Sequence, residues 1–91
     1  MTNYEKELQE LKTWDTVEST TILNEGTLKG YGFIYTCGHG YLIVPKTDKD
    51  YKLALSICSF GFKGQLACYL EEDCEISEFA NRKENIEKCF A

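Results

Sequence analysis

One histidine and one run of acids are the residues best suited to chemistry in this chain. His39 stands between Gly38 and Gly40, and Glu71, Glu72 and Asp73 follow the apolar run Leu66–Leu70. A histidine held on a turn with access to solvent serves as a base or a ligand. Its plainer role is to donate from the ring to a nearby carbonyl and fix the turn. Three adjacent carboxylates bind a divalent cation, or pair with His39 as an acid–base site. Their plainer role is to open a helix, whose N-terminal dipole favours negative charge by about 0.3–1 kcal/mol per group. Cys37, His39, Cys68 and Cys74 are zinc-ligand types, but Cys-x-His and Cys-x5-Cys are not knuckle spacings. Cys68 also falls at an apolar strand position, which suits a buried thiol. The plain readings outweigh the chemical ones for all three groups, so neither a metal nor a cofactor is expected.

Other catalytic signatures are missing. The sequence holds no Gly-x-Ser-x-Gly, no Cys–His pair with a third orienting group, and no glycine-rich phosphate loop. The expectation is that the protein is not an enzyme. The aromatics Tyr31, Phe33, Tyr35, Tyr41, Phe60, Phe62 and Tyr69 suggest a stacking platform, but too few cations flank them for nucleic acid. A core plus a partner-binding patch accounts for them better.

The elements that must position these residues are legible in the spacing. Residues 3–14 read as a helix, with Thr2 and Glu5 as a capping box and Tyr4, Leu8 and Leu11 on one face. Trp14 marks the place where that helix ends or docks. Residues 16–24 are rich in β-branched types and read as a strand, followed by turn signals at Asn24–Gly26 and Lys29–Gly30. Residues 31–37 and 41–44 form a hairpin through Cys37-Gly38-His39-Gly40, whose glycines suggest torsions that a side chain would oppose. Pro45 stops the second of these strands.

Residues 48–58 read as a second helix, capped by Asp48 or Asp50, with Tyr51, Ala54, Leu55 and Cys58 at helical spacing. Two short extended runs, 59–62 and 66–70, turn at Lys63–Gly64. The acids at 71–73 then open a last helix carrying Ile76, Phe79, Ala80, Ile86 and Phe90. Its polar middle, residues 81–85, is where a break would fall. The order α-β-β-β-α-β-β-α predicts an α+β fold over residues 1–91 as one domain. That fold is a small antiparallel sheet of hairpin-connected strands with two to three helices packed on one face.

Composition limits the function classes. A chain of 91 residues buries only about 60–65% of its unfolded surface, so the core is small. No apolar run approaches membrane-spanning length, and the N-terminus carries no export pattern. Five cysteines without a Cys-x-x-Cys pair suit reduced, buried thiols in a cytosolic protein. The net charge of −5 is unevenly spread: residues 1–25 carry two basic and six acidic groups, residues 26–70 five and two, and residues 71–91 three and seven. Direct nucleic-acid binding is therefore not expected, while a basic protein surface is a suitable partner.

One stretch carries a resemblance. His39-Gly40-Tyr41-Leu42, Val44-Pro45, an intervening helix, Ser59-Phe60-Gly61-Phe62, Tyr69-Leu70-Glu71-Glu72-Asp73-Cys74 and an apolar Phe79 resemble a group of small domains of no assigned activity. Phages, plasmids and other bacterial mobile elements encode them. The resemblance covers roughly residues 33–80. It implies a cytoplasmic setting in a bacterial or phage-infected cell, and it marks His39, Glu71, Glu72, Asp73 and Cys74 for testing. Taken with the composition, the expectation is a small protein-binding accessory factor of mobile-element type, with anti-defence action as one form. His39, Tyr41, Glu71, Glu72 and Asp73 are the candidate binding residues. One alternative is a small-molecule or metal-dependent site built from His39 and the acids at 71–73. The other is an acidic mimic of nucleic acid.

Overall fold

The computed structural model describes residues 2–13 and 15–90, with side chains described up to residue 85. Its elements run α1 (Asn3–Leu11), β1 (Val17–Ile22), β2 (Gly32–Thr36), β3 (Gly40–Pro45), α2 (Tyr51–Ile57), β4 (Phe62–Lys63), β5 (Ala67–Glu71) and α3 (Cys74–Phe90). This is the predicted order and the predicted α+β class. The five strands form one antiparallel sheet in the order β1-β2-β3-β5-β4. The role assigned to Trp14 and the contributions of Ile86, Cys89 and Phe90 lie outside the described residues and side chains.

Two helices, α2 and α3, pack on one face of the sheet as expected, and α1 covers the other. Leu42, Val44, Cys68 and Leu70 point to the side where α2 and α3 supply Ala54, Cys58 and Phe79. Ile34, Tyr41, Ile43, Ala67 and Tyr69 point to the other side, where α1 supplies Leu8. The reason is visible in β3 and β5, which are apolar at successive positions. Alternating side chains then bury both faces, and each face needs a cover.

Helix α1 starts at the predicted box: Thr2 Oγ1 accepts from the Glu5 amide at 3.1 Å, and Glu5 Oε2 accepts from the Thr2 amide at 2.7 Å. Its inner stripe differs from the predicted one. Leu8 is fully buried and Lys12 nearly so, while Leu11 faces out. The spacing Tyr4–Leu8–Lys12 keeps one side of the helix on the sheet. Leu8→Ala is expected to cost about 2–3 kcal/mol in urea denaturation, at the lower end for such changes, because a single helix over an open sheet face can settle into the gap. A loss under about 1 kcal/mol would show that α1 is not docked.

The last helix begins later than expected. Glu71 closes β5, Glu72 and Asp73 form the turn, and α3 runs unbroken through the polar stretch at 81–85. That stretch is not uniformly exposed. Lys83 is buried against Asp50, with its Nζ 2.5 Å from Oδ2, and its charge lies over the Tyr31 ring. Cys58 and Cys68 are buried and free, as expected, whereas Cys37 and Cys74 are free but exposed, on the hairpin turn and at the start of α3, which corrects the reading of them as buried thiols.

Candidate functional site

The β2–β3 hairpin and the end of β5 meet at one edge of the sheet. Tyr41 pairs with Glu71 across β3 and β5, and the Glu72 amide donates to the Gly40 carbonyl at 2.9 Å. The hairpin itself closes through the Thr36 amide donating to the His39 carbonyl at 2.8 Å. The result places His39 Nδ1 3.5 Å from Glu71 Oε1, on half-exposed side chains. His39, Glu71 and Glu72 are thus brought together as one surface cluster. Asp73 is exposed on the turn with φ 81° and makes no ion pair among the described residues.

The glycines of this turn act differently from the expectation. Among the described glycines, positive φ belongs to Gly26 and Gly30, not to Gly38 or Gly40. Gly40 is required by space. A Cβ there would lie 2.4 Å from Phe33 Cζ and 2.9 Å from Glu72 Oε2.

Beneath the surface pair lies a buried polar network that the sequence reading missed. Lys12 Nζ sits 2.9 Å from Asp15 Oδ2 and donates to the Tyr41 hydroxyl. Asp15 also accepts from Thr36 Oγ1 at 3.2 Å and from Cys37 Sγ at 3.7 Å. Gln9 ties in the connecting segment: its Nε2 donates to the Asp15 carbonyl, and its Oε1 accepts from the Val17 amide at 3.0 Å. The Lys12 ammonium lies 5.0 Å from the Tyr41 ring centroid and 5.7 Å from that of Phe62. Lys12, Asp15, Thr36 and Tyr41 are all buried. The available signal was Lys12 four residues after Leu8, which puts it on the inner face of α1.

Charge is held in place there. Burial lowers the Lys12 pKa, but its bonds to Tyr41 and Asp15 outweigh burial and the net shift is upward. The Lys12 hydrogen bond holds the Asp15 carboxyl below the usual carboxylate range against the opposing effect of burial. Burial pushes the Tyr41 phenol up, with Lys12 opposing it. Tyr41 lies buried beneath His39, with ring centroids 6.4 Å apart.

The zinc set is split by the sheet. Cys37 reaches Asp15 on the α1 side, whereas Cys68 packs under α2 and α3. Among the described residues no group of three metal-ligating side chains comes together. Beside the acids is a shallow hollow of about 270 Å³, floored by Phe60, Glu72, Cys74 and Glu75.

A much larger groove, about 1130 Å³, opens at the opposite end of the sheet on the α1 face. Tyr4, Ile22, Ile43, Pro45 and Leu66 give it an apolar floor, and Lys29, Lys46 and Lys49 stand among its walls. Ile22 is 63% exposed and Leu66 44%, so this is uncovered apolar surface. None of these positions was singled out as a site from sequence. Among the described residues no helix is long and apolar enough to cross a membrane. No protein-family model, curated protein or solved structure matches this chain.

Proposed function

We propose that this chain is a small protein-binding accessory domain of the phage and mobile-element kind that its motifs resemble. It would act in the cytoplasm of a bacterial cell on a host protein, with a defence component as the target class. The observation that carries the reading is strand β1. It is an outer strand of the sheet, exposed at Glu18, Ser19, Thr21 and Ile22, and it borders the large apolar groove. An exposed edge is a template for a second chain, and uncovered apolar surface of this kind marks an interaction site. Several acids of the two negative segments are engaged within the fold, among them Glu5, Glu7, Asp15 and Glu75. That weakens the mimic of nucleic acid, which needs its carboxylates outward.

The test is affinity capture from a bacterial lysate with the wild-type chain and with Ile22→Lys, a change at an exposed position. A protein retained by the first and lost by the second is the expected result. An identical retained set would rule out this face.

A second reading is favoured by the 3.5 Å approach of His39 to Glu71, which makes an acid–base or ligand-holding pair at the hairpin. A His39→Ala/Glu72→Ala variant separates the two readings. If it folds normally and captures the same proteins, the hairpin cluster is not the working site.

A further inference from the structure

The groove and the strand beside it define what kind of segment they accept, on the reading that the protein works by binding another. The main chain of β1 sets the first requirement. The Leu23 amide donates to the Tyr31 carbonyl at 3.0 Å, and the Leu23 carbonyl accepts from the Gly30 amide at 2.8 Å. Leu23 therefore turns both groups towards β2 and the loop that leads into it. Backbone groups alternate along an antiparallel strand, so Thr21 and Ser19 face β2 as well, and Thr20 and Ile22 present theirs to the open side. Outer strands are commonly guarded by charge, proline or a bulge. Here the bulge lies between Val17 and Ser19 and the one charge is Glu18, both at the start of the strand. The stretch Ser19-Thr20-Thr21-Ile22 holds no charge, proline or bulge of its own, and the Glu5 carboxylate that accepts from the Thr20 hydroxyl reaches it from α1.

The floor sets the second requirement. Gly32 pairs with Ile22 on one side and Ile43 on the other. Its missing side chain lets Ile43 lie across it, since a Cβ there would stand 3.0 Å from Ile43 Cδ1. Ile22, Ile43 and Leu66 border the same groove, which makes it a seat for one apolar side chain.

The walls set the third. Four lysines and one aspartate line the groove. Lys83 is matched by Asp50, and the Asp48 carboxylate accepts from the Tyr31 hydroxyl at 3.0 Å and the Asp50 amide at 2.8 Å. Among the described residues no ion pair engages Lys29, Lys46 or Lys49. This leaves a local positive field on a chain whose net charge is −5.

We propose that β1 and its groove take an extended, acidic segment of a partner protein. The segment adds to the sheet by main-chain pairing along residues 19–22. One of its apolar side chains sits over Gly32 and Ile43, and its carboxylates meet Lys29, Lys46 and Lys49. Strand addition supplies affinity through the backbone and specificity through alternate side chains.

The test is selection of short random peptides displayed on phage against the whole chain, followed by anisotropy of the recovered peptides carrying a dye. Recovered peptides should alternate acidic with β-branched apolar residues. Their affinity should fall about tenfold or more in Lys29→Glu/Lys46→Glu/Lys49→Glu, the loss expected for several exposed pairs together. A copy of the best peptide N-methylated at alternate amides should not bind, and this arm leaves the protein untouched. Recovered peptides without an acidic bias overturn the proposal, as does an unchanged affinity in the lysine variant or for the methylated peptide. A mixed-sequence single-stranded oligonucleotide that displaces the peptide and needs the same lysines also overturns it, in favour of nucleic acid. Self-association that vanishes in the lysine variant overturns it in favour of a second copy. Peptides that bind at the His39 end defeat this inference while leaving the protein-binding reading intact. Recovery of no peptide, together with an empty capture from lysate, defeats both.

Discussion

Glu75→Ala is expected to remove about 3–5 kcal/mol of folding stability, because its carboxylate accepts several main-chain bonds and a bond to a charged group is worth about 1.5–3 kcal/mol. Glu75 is 4% exposed and lies in the first turn of α3. Its Oε2 accepts from the Ser59 amide at 2.8 Å and from the Phe60 amide, and its Oε1 accepts from the Gly61 amide at 3.1 Å and the Glu71 amide at 3.1 Å. One carboxylate thus satisfies three successive amides of the 59–61 loop and the end of β5. The loop is pressed so closely on β5 that a Cβ on Gly61 would stand 1.8 Å from the Tyr69 carbonyl oxygen. Ser59 and Phe60 are exposed beside the hollow, so water replaces part of the lost acceptor, and each donor costs less than the about 1–3 kcal/mol of one left fully dry. Urea denaturation should show a lower midpoint at unchanged slope. A loss under about 1 kcal/mol would mean that the loop finds other acceptors and that Glu75 is not its anchor.

The same carboxylate fixes a pH dependence. Burial pushes the Glu75 pKa up, but the amides of Phe60, Ser59 and Glu71 together pull harder, and it lies below its ordinary value. A folded pKa below the unfolded one gives stability that is present above the unfolded value, about 4.3 for glutamate, and is lost as pH falls through the folded value. The stability gap between wild type and Glu75→Ala should therefore be widest near neutral pH and narrow in acid below about pH 4. A gap that stays constant down to low pH would place the effect in packing rather than in charge.

Glu75 also illustrates what the chain shows on inspection and what it hides. Its position in a first helical turn was legible, but its partners lie fifteen or so residues earlier, in a loop with no periodic signal. The order of elements was legible because Tyr4 and Leu8 repeat at helical spacing and residues 16–24 are β-branched. The two-sided sheet was also written in Tyr41–Val44 and Leu66–Leu70, whose unbroken apolar runs demand cover on both faces. The approach of His39 to Glu71 follows from a hairpin turn and a strand end sharing an edge, which spacing suggests. The register that makes it real, Tyr41 opposite Glu71, comes only from the pairing of β3 with β5. The groove was hidden for a different reason. Lys29, Lys46 and Lys49 are scattered through loops, and only folding gathers them beside Ile22.

Lys12→Met is the second large loss expected, again about 3–5 kcal/mol, because it breaks a buried ion pair from one side. Met matches the length of the lysine stem and keeps the packing under Phe62, so the charge is the main thing removed. What remains among the described residues is a carboxylate at Asp15 with Thr36 and Cys37 to donate to it, and a Tyr41 hydroxyl that has lost the Lys12 donor. The hairpin that carries His39 is anchored through Thr36, whose single hydroxyl hydrogen is shared between Asp15 and the His39 carbonyl 2.7 Å away, and whose oxygen accepts from the His39 amide at 3.0 Å. The damage should thus spread to residues 36–40 and appear as faster amide exchange there than in β5. Adding Asp15→Asn removes the unmatched charge while keeping an acceptor for Thr36, so the double variant Lys12→Met/Asp15→Asn should recover most of the loss. That recovery is the decisive measurement. A double variant no more stable than Lys12→Met alone would show that lost packing, not a stranded charge, accounts for the effect. The pH dependence gives an independent reading. The Lys12 pKa lies above its ordinary value, because its bonds to Tyr41 and Asp15 outweigh the downward push of burial. Its stabilisation is therefore fully present below the unfolded value of about 10.4 and is lost only as pH rises through the folded one. Wild type should lose stability over that alkaline range more steeply than Lys12→Met does.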